Sequence, residues 1–274
     1  MPSPPSAHNS VLPSALNIPL FNKLRNKRII LASASPRRVE ILKAYGLSPE
    51  VVKSEFPEEL NHGDFDNPGD YTVATATEKA IDVYSKLVRE SPDDPPDLVI
   101  GADTVVVLGS EASYSILEKP RSKADQMGML TDFNGSKVDV ITAVTLVVLI
   151  QMKKGLDGRL FAPWSRNSSL CDTASICSAQ PQLANPGYSL QSLVQSTKVR
   201  KTVNFAHNSP QLIRAYVDCG EGIDRAGGFA VQGLGGMLIK GIEGDYNNVV
   251  GFPGQAFFEW LGTLADEGTL CEMD

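Results

Sequence analysis

Residues 28–46 read RIILASASPRRVEILKAYG, and residues 98–108 read LVIGADTVVVL. The first stretch runs from a short apolar strand (IILAS) through Ser33-Ala34-Ser35-Pro36 into a helical pattern. Ser35 suits an N-cap, Pro36 the first helical position and Gly46 the stop. The second stretch is a nearly continuous apolar run, the signature of a strand covered on both faces. Working outward, strands and helices keep alternating. A helix is expected over Tyr71–Arg89, ending before the proline-rich turn at 91–96, and another over Lys123–Thr131. Asn134-Gly135 then leads to a strand from Val138 to Met152. A strand over Val199–Ala206 and a helix over Pro210–Val217 come next. A glycine-rich segment, AGGFAVQGLGG (226–236), precedes a closing helix over Pro253–Ala265. This alternation predicts an α/β fold around a largely buried sheet.

Three stretches fall outside the pattern. Residues 1–27 carry prolines at 2, 4, 5, 13 and 19, and no acid occurs before Glu40. Lack of acids is one mark of a mitochondrial transit peptide, but the prolines spoil its helix, so a flexible extension is expected. Residues 153–197 are rich in Ser, Gln, Asn and Pro with little periodicity, which predicts a low-complexity surface insertion. Residues 267–274 form a short tail. One domain over 28–266 accounts for the rest.

Composition narrows the class. Of 274 residues, 42% are hydrophobic and 21% charged, enough apolar surface to offset ordering entropy over most of the chain. The net charge of -7, from 25 basic and 32 acidic residues, argues against a general nucleic-acid binder. Four scattered cysteines make no disulfide framework and no C-x-x-C pair, and three histidines argue against structural zinc. No apolar run reaches the roughly 18–20 residues of a membrane span. A cytoplasmic location is expected, with mitochondrial targeting by residues 1–27 as the alternative.

Several chemistry-bearing residues fall in the same two stretches, and others lie between and beyond them. Ser33, Ser35, Arg37 and Arg38 stand at a strand-to-helix junction, where free N–H groups and the helix dipole favour anions. Guanidinium forks match phosphate oxygens, although neighbouring arginines point about 100° apart on a helix. Asp103 lies inside an apolar strand, where a carboxylate must be paired, hydrogen-bonded or holding a metal. That placement suits a general base or a metal ligand. Lys79 and Lys119 gain interest as point charges completing a triphosphate pocket. Glu58 and Glu59 offer carboxylate oxygens for a metal, with Glu58 the preferred one. Gln232, in the glycine-rich segment, carries the paired amide donor and acceptor that can read a base edge. No Walker P-loop or dinucleotide fingerprint is present.

LASASPRR (31–38), EKA (78–80), IGADTVV (100–106), ILEKPRSKAD (116–125), VITAV (140–144) and the run from Gly220 to Pro253 occur in one order. Together they resemble the Maf family of nucleotide pyrophosphatases, related in fold to the inosine triphosphate pyrophosphatases. The resemblance implies a two-lobed α/β domain around a long, twisted, mixed sheet with a central cleft. It implies hydrolysis of a nucleoside triphosphate to monophosphate and pyrophosphate with a divalent cation, Mg2+ or Mn2+. By motif position Asp103 is the proton acceptor, and Ser33, Ser35, Arg38, Lys79 and Lys119 bind phosphates. Arg37, Thr104 and Gln232 fall where base selection occurs. Thr104 and Gln232 resemble the branch acting on dTTP and UTP, not the one acting on 7-methyl-GTP. A homodimer is suggested by the likeness alone. A non-catalytic nucleotide-binding regulator of cell division is the rival, against which the retained Asp103 and its cationic neighbours speak. Where the family usually has D-K-A-G, this chain has Asp224-Arg225-Ala226-Gly227, and Val138 stands where a histidine is usual.

Overall fold

The structure, a computed structural model, describes residues 8–110, 113–154, 160–161, 174–177, 188–268 and 270. Among these residues nine strands form one mixed sheet: β1 (Ile29–Ala32), β2 (Glu50–Val51), β3 (Leu98–Ser110), β4 (Ser113–Leu117), β5 (Lys137–Lys154), β6 (Leu160–Phe161), β7 (Ala174–Cys177), β8 (Tyr188–Phe205) and β9 (Ile239–Glu243). The main path runs β2-β1-β3-β5-β8-β7, with β4 on β3, β6 on β5 and β9 on β8. β5 and β8 are 18 residues each, roughly 60 Å at strand rise, and form the spine of the molecule. Among the described residues seven α-helices flank it: α1 (Pro19–Leu24), α2 (Pro36–Ala44), α3 (Pro68–Glu90), α4 (Lys123–Phe133), α5 (Pro210–Cys219), α6 (Tyr246–Val250) and α7 (Gly254–Asp266).

The cleft originates in the pairing of β3. One edge pairs continuously with β5, from Leu98↔Val148 to Val107↔Asp139. The other edge is shared: β1 runs parallel to it as far as Ala32↔Gly101, and β4 returns antiparallel from Val106↔Leu117. Residues 102–105 therefore have no strand partner on that edge. The sheet divides there into two lobes, with Asp103 and Thr104 in the gap.

Strand alternation assigns these two residues to opposite faces. Leu98, Ile100 and Ala102 point into a core with Phe21 and Leu24 of α1, Leu42 of α2 and Phe257 and Leu261 of α7. Val106, on the same face, joins a second core with Phe133 of α4, Ile213 of α5, Val203 and Phe229. Thr104 lies between the two, bonded to Thr142 Oγ1 at 3.0 Å. On the opposite face α3 covers Val99 through Ala80, Val83, Tyr84 and Leu87, and Val105 and Val107 through Tyr71. Asp103 faces α3. Gly101 permits that approach, since a Cβ there would stand 2.3 Å from Ala76 O and 2.8 Å from Ala80 Cβ. α3 begins cleanly because the Asn67 side chain accepts from Asp70 N and Pro68 occupies the first turn.

The structure corrects two boundaries. Residues 1–7 of the proposed flexible extension lie outside the described residues, but the rest of it is built into the fold. Val11, Leu20, Phe21 and Leu24 are buried in the α2/α7 core, and Val11 bridges Leu47. Pro19 opens α1 instead of breaking it. At the far end of the proposed insertion, residues 188–197 are strand, paired with 144–153 of β5. Their Ser and Gln content hid a stretch that is buried over residues 192–196, where Ser196 Oγ meets Thr145 Oγ1 at 2.7 Å. The remainder of 153–197 is described only at Lys153–Lys154, β6 and β7. Leu270, in the expected tail, is also buried in the first core.

Candidate active site

The gap in β3 opens onto a cleft of about 420 Å3, within the range of small-molecule sites. Ser33, Ser35, Arg37, Arg38, Glu58, Lys79, Asp103, Thr104, Lys119 and Gln232, scattered over 200 positions of sequence, all line it. Glu59 does not.

α3 organises the floor through residues that recur along one side of the helix. Lys79 Nζ lies 2.8 Å from Asp103 Oδ1 and 3.0 Å from Glu58 Oε2. Both members of the inner pair are deeply buried, Lys79 8% and Asp103 7% exposed, so each charge depends on the other. One turn on, Asp82 accepts from Ser54 Oγ at 2.7 Å and Glu55 N at 2.8 Å, pinning the loop that carries Glu58. Near the start of α3, Tyr71 Oη donates to Glu118 Oε1 at 2.5 Å. Burial, and then that carboxylate, push the phenol well above its ordinary range. Glu118 precedes Lys119 at the rim. The sequence reading missed Asp82 and Glu118; the spacing of Tyr71, Thr75, Lys79 and Asp82 on one helix face was the available signal.

The two arginines behave differently. Arg38 turns inward and is nearly saturated. Its Nε donates to Gly251 O (2.9 Å), Nη1 to Ser33 Oγ (3.0 Å) and Ala102 O (2.8 Å), and Nη2 to Thr104 Oγ1 (3.2 Å). Four of its five N–H groups are thus committed to protein acceptors. It caps the open edge of β3 and ties α2 to the loop before α7. Burial lowers its pKa, with Asp103 opposing the shift. Arg37 instead reaches along the rim, with Nε on Val250 O at 3.3 Å and Nη1 3.8 Å from Asp224 Oδ2. Its pKa is lowered first by desolvation and then by the neighbouring charge of Arg225.

Ser35 stands at the N-cap position of α2, but its hydroxyl makes no cap bond; Ser33 Oγ accepts from Ser35 N at 3.3 Å. The cap expected from sequence is positional only, and the Ser35 hydroxyl faces the cleft uncommitted. Gln232 is exposed on the opposite wall. Nearby, Glu221 accepts from the N–H groups of Leu234 and Gly235 and so shapes the glycine-rich segment.

Among the described residues, no cluster of three or more His, Cys, Asp or Glu forms a ready metal site. Glu58 and Asp103 nevertheless converge on one cation, the Lys79 ammonium. Two carboxylates completed by phosphate oxygens are a hard-oxygen set appropriate to Mg2+. No helix among the described residues is long and apolar enough to cross a membrane.

A two-lobed α/β domain whose split central strand offers a buried acid and a ring of cationic and hydroxyl groups defines a phosphate-ester or anhydride site of the nucleotide-handling kind. Comparison with known proteins gives the class a name. The family model described as Maf-like protein matches residues 28–158 and 173–264, and the chain belongs to that family. The unmatched residues between those segments fall inside the stretch read as an insertion. The chain is 34% identical over 269 residues to a dTTP/UTP pyrophosphatase of Schizosaccharomyces pombe, covering 97% of this chain and 94% of that protein. It is 37% identical over 246 residues to a human probable bifunctional dTTP/UTP pyrophosphatase/methyltransferase protein, covering 90% of this chain and 33% of that one. A dTTP/UTP pyrophosphatase of Clostridium perfringens is 32% identical over 229 residues, covering 82% of this chain and 91% of that protein.

Proposed function

We propose that this chain hydrolyses dTTP, UTP and related pyrimidine triphosphates to the monophosphate and pyrophosphate, a reaction suited to clearing surplus or modified nucleotides. The observation that carries the reading is the buried Asp103–Lys79 pair at the break in β3, with Glu58 on the same lysine. The names of the relatives point the same way.

Asp103 is the proton acceptor: its carboxylate, oriented by Lys79 at 2.8 Å, receives a proton from the attacking water. Ser33, Ser35, Lys79 and Lys119 contact phosphates, and their hydrogen bonds offset the charge that a triphosphate brings into the cleft. Arg38 serves the same end by fixing the Ser33 and Thr104 hydroxyls and the edge of β3. Glu58 and Asp103 hold a divalent cation, Mg2+ or Mn2+, which when bound supplies Lewis-acid charge neutralisation. Thr104 and Gln232 select the base; Arg37, grouped with them by motif position, lines the same cleft beside Asp224. An amide at Gln232 can match the alternating acceptor and donor edge of uracil or thymine, whereas a carboxylate suits a base presenting donors. That contrast favours pyrimidines over 7-methyl-GTP. A homodimer and a cytoplasmic location complete the proposal; light scattering and cell fractionation test them.

A panel of UTP, dTTP, CTP, GTP and 7-methyl-GTP with Mg2+ or Mn2+ and pyrophosphate detection tests the reading. Fastest turnover of UTP and dTTP is expected. Preference for 7-methyl-GTP would overturn the base assignment, and tight UTP binding without turnover would favour a regulator.

A further inference from the structure

Along the cleft beside Arg37 lies a strained charge arrangement built on Asp224 and Arg225. Arg225 stands where the backbone is fixed: Arg225 N donates to Gly222 O and Gly228 N to Arg225 O, both at 3.0 Å. Gly227 N reaches Glu118 O at 3.0 Å, fastening this turn beside Lys119. The Arg225 side chain is only 25% exposed and lines the cleft. Its Nε is buried with no hydrogen-bond partner. The nearest counter-charge is Asp224 Oδ1 at 3.5 Å, beyond a well-formed N–H···O contact. The other oxygen of the same carboxylate is 3.8 Å from Arg37 Nη1. Asp224 itself is 69% exposed.

One loosely held carboxylate thus lies between two half-sequestered guanidinium groups and satisfies neither. Swinging an exposed Asp side chain toward water costs little, whereas leaving a buried guanidinium N–H unpaired does not. A phosphoryl group has three oxygens and can accept from both forks at once. The crowding of like charge agrees: Arg225 pulls the pKa of Arg37 down while Asp224 pulls it up.

We propose that Arg225 is a further phosphate-binding residue and that the Asp224 carboxylate is a stand-in anion, displaced when a substrate phosphoryl group bridges Arg37 and Arg225. The inference rests on the pyrophosphatase reading for its substrate, but the site it names is an anion site that can be tested without turnover.

The experiment is calorimetric titration of the full chain with inorganic pyrophosphate, with and without Mg2+, on wild type, Arg225→Ala, Arg225→Lys, Asp224→Asn and Glu40→Gln. Loss of one charge-assisted contact predicts about tenfold weaker binding for Arg225→Ala, with Arg225→Lys in between. Asp224→Asn removes the competitor and is expected to tighten binding about twofold or more, at most about tenfold. Glu40→Gln, which removes an equal charge near Arg37 without vacating the gap, stays within about twofold of wild type. Thermal melts confirm that each variant is folded. Unchanged affinity in Arg225→Ala, or Asp224→Asn weakening binding as Arg225→Ala does, would overturn the proposal; the latter would make Asp224 a brace. Affinities that behave as expected in a protein that turns over no triphosphate would sink the pyrophosphatase reading and leave this site standing.

Discussion

Arg38 and Arg225 both line the cleft and are opposite solutions to holding a guanidinium near phosphate. On the first lobe Arg38 spends four N–H groups on Gly251, Ser33, Ala102 and Thr104. It behaves as framework, closing the strand edge that the sheet leaves open. On the second lobe Arg225 has one exposed carboxylate at 3.5 Å and a buried N–H without an acceptor. The difference teaches that formal charge is a poor guide to which arginine meets the ligand. The residue that satisfies itself within the protein organises the site, and the one left unsatisfied is available to bind.

The sharpest way to break this comparison lies just below Arg38, in the pair it helps enclose. Lys79→Met strands the buried Asp103 charge and should cost about 3–5 kcal/mol in urea unfolding, part of it recovered when Asp103→Asn is added. Arg38→Met leaves several sheltered acceptors without donors, and a loss on the order of 3 kcal/mol is expected. Arg225→Met, tested beside it, should stay within about 0.5 kcal/mol of wild type. Equal losses for the two arginines would erase the distinction between framework and ligand. Thr104→Val removes the hydroxyl that accepts from Arg38 and meets Thr142. About 1 kcal/mol of stability should go with it, together with some of the preference for UTP over 7-methyl-GTP in competitive assays.

The smallest effect lies far from the cleft. The Glu243 carboxyl is held below its ordinary value, chiefly by the hydrogen bond from Lys137 and then by Asn204. A depressed carboxyl adds stability above its unfolded pKa, ordinarily near 4.5, and loses it as pH falls through the folded value. Lys137→Met should therefore flatten the acid limb of a pH–stability curve slightly and leave the region above pH 6 nearly parallel to wild type.

Much of this was legible in the chain itself. The apolar run at 98–108 and the strand–turn–helix at 28–46 announced β1, α2 and β3, because burial on both faces and capping chemistry are local properties. Asp103 stood out for the same reason: a carboxylate in such a run needs a partner. What stayed hidden depends on tertiary context. Pro19 looked like a helix breaker until its place at the start of α1 was visible. Residues 188–197 looked like low complexity because polar side chains such as Ser192, Gln195 and Ser196 are buried against the sheet instead of facing water. That Arg37 and Arg38 point apart was legible from helix geometry; that Arg38 is the one turned into the gap between β1 and β4 was not, because no local pattern encodes that gap. Arg225 was noted only as a departure from D-K-A-G; its unpaired N–H is a fact of three dimensions.

The central claim is that Asp103, at the break in β3, drives the release of pyrophosphate. Phosphorus NMR of UTP with Mg2+, run side by side on wild type and Asp103→Asn, tests it most directly. UMP and pyrophosphate in equal amounts are expected from wild type, with the rate down on the order of 10²–10⁴-fold in the variant. Orthophosphate and UDP from wild type, or ordinary turnover by Asp103→Asn, would contradict it.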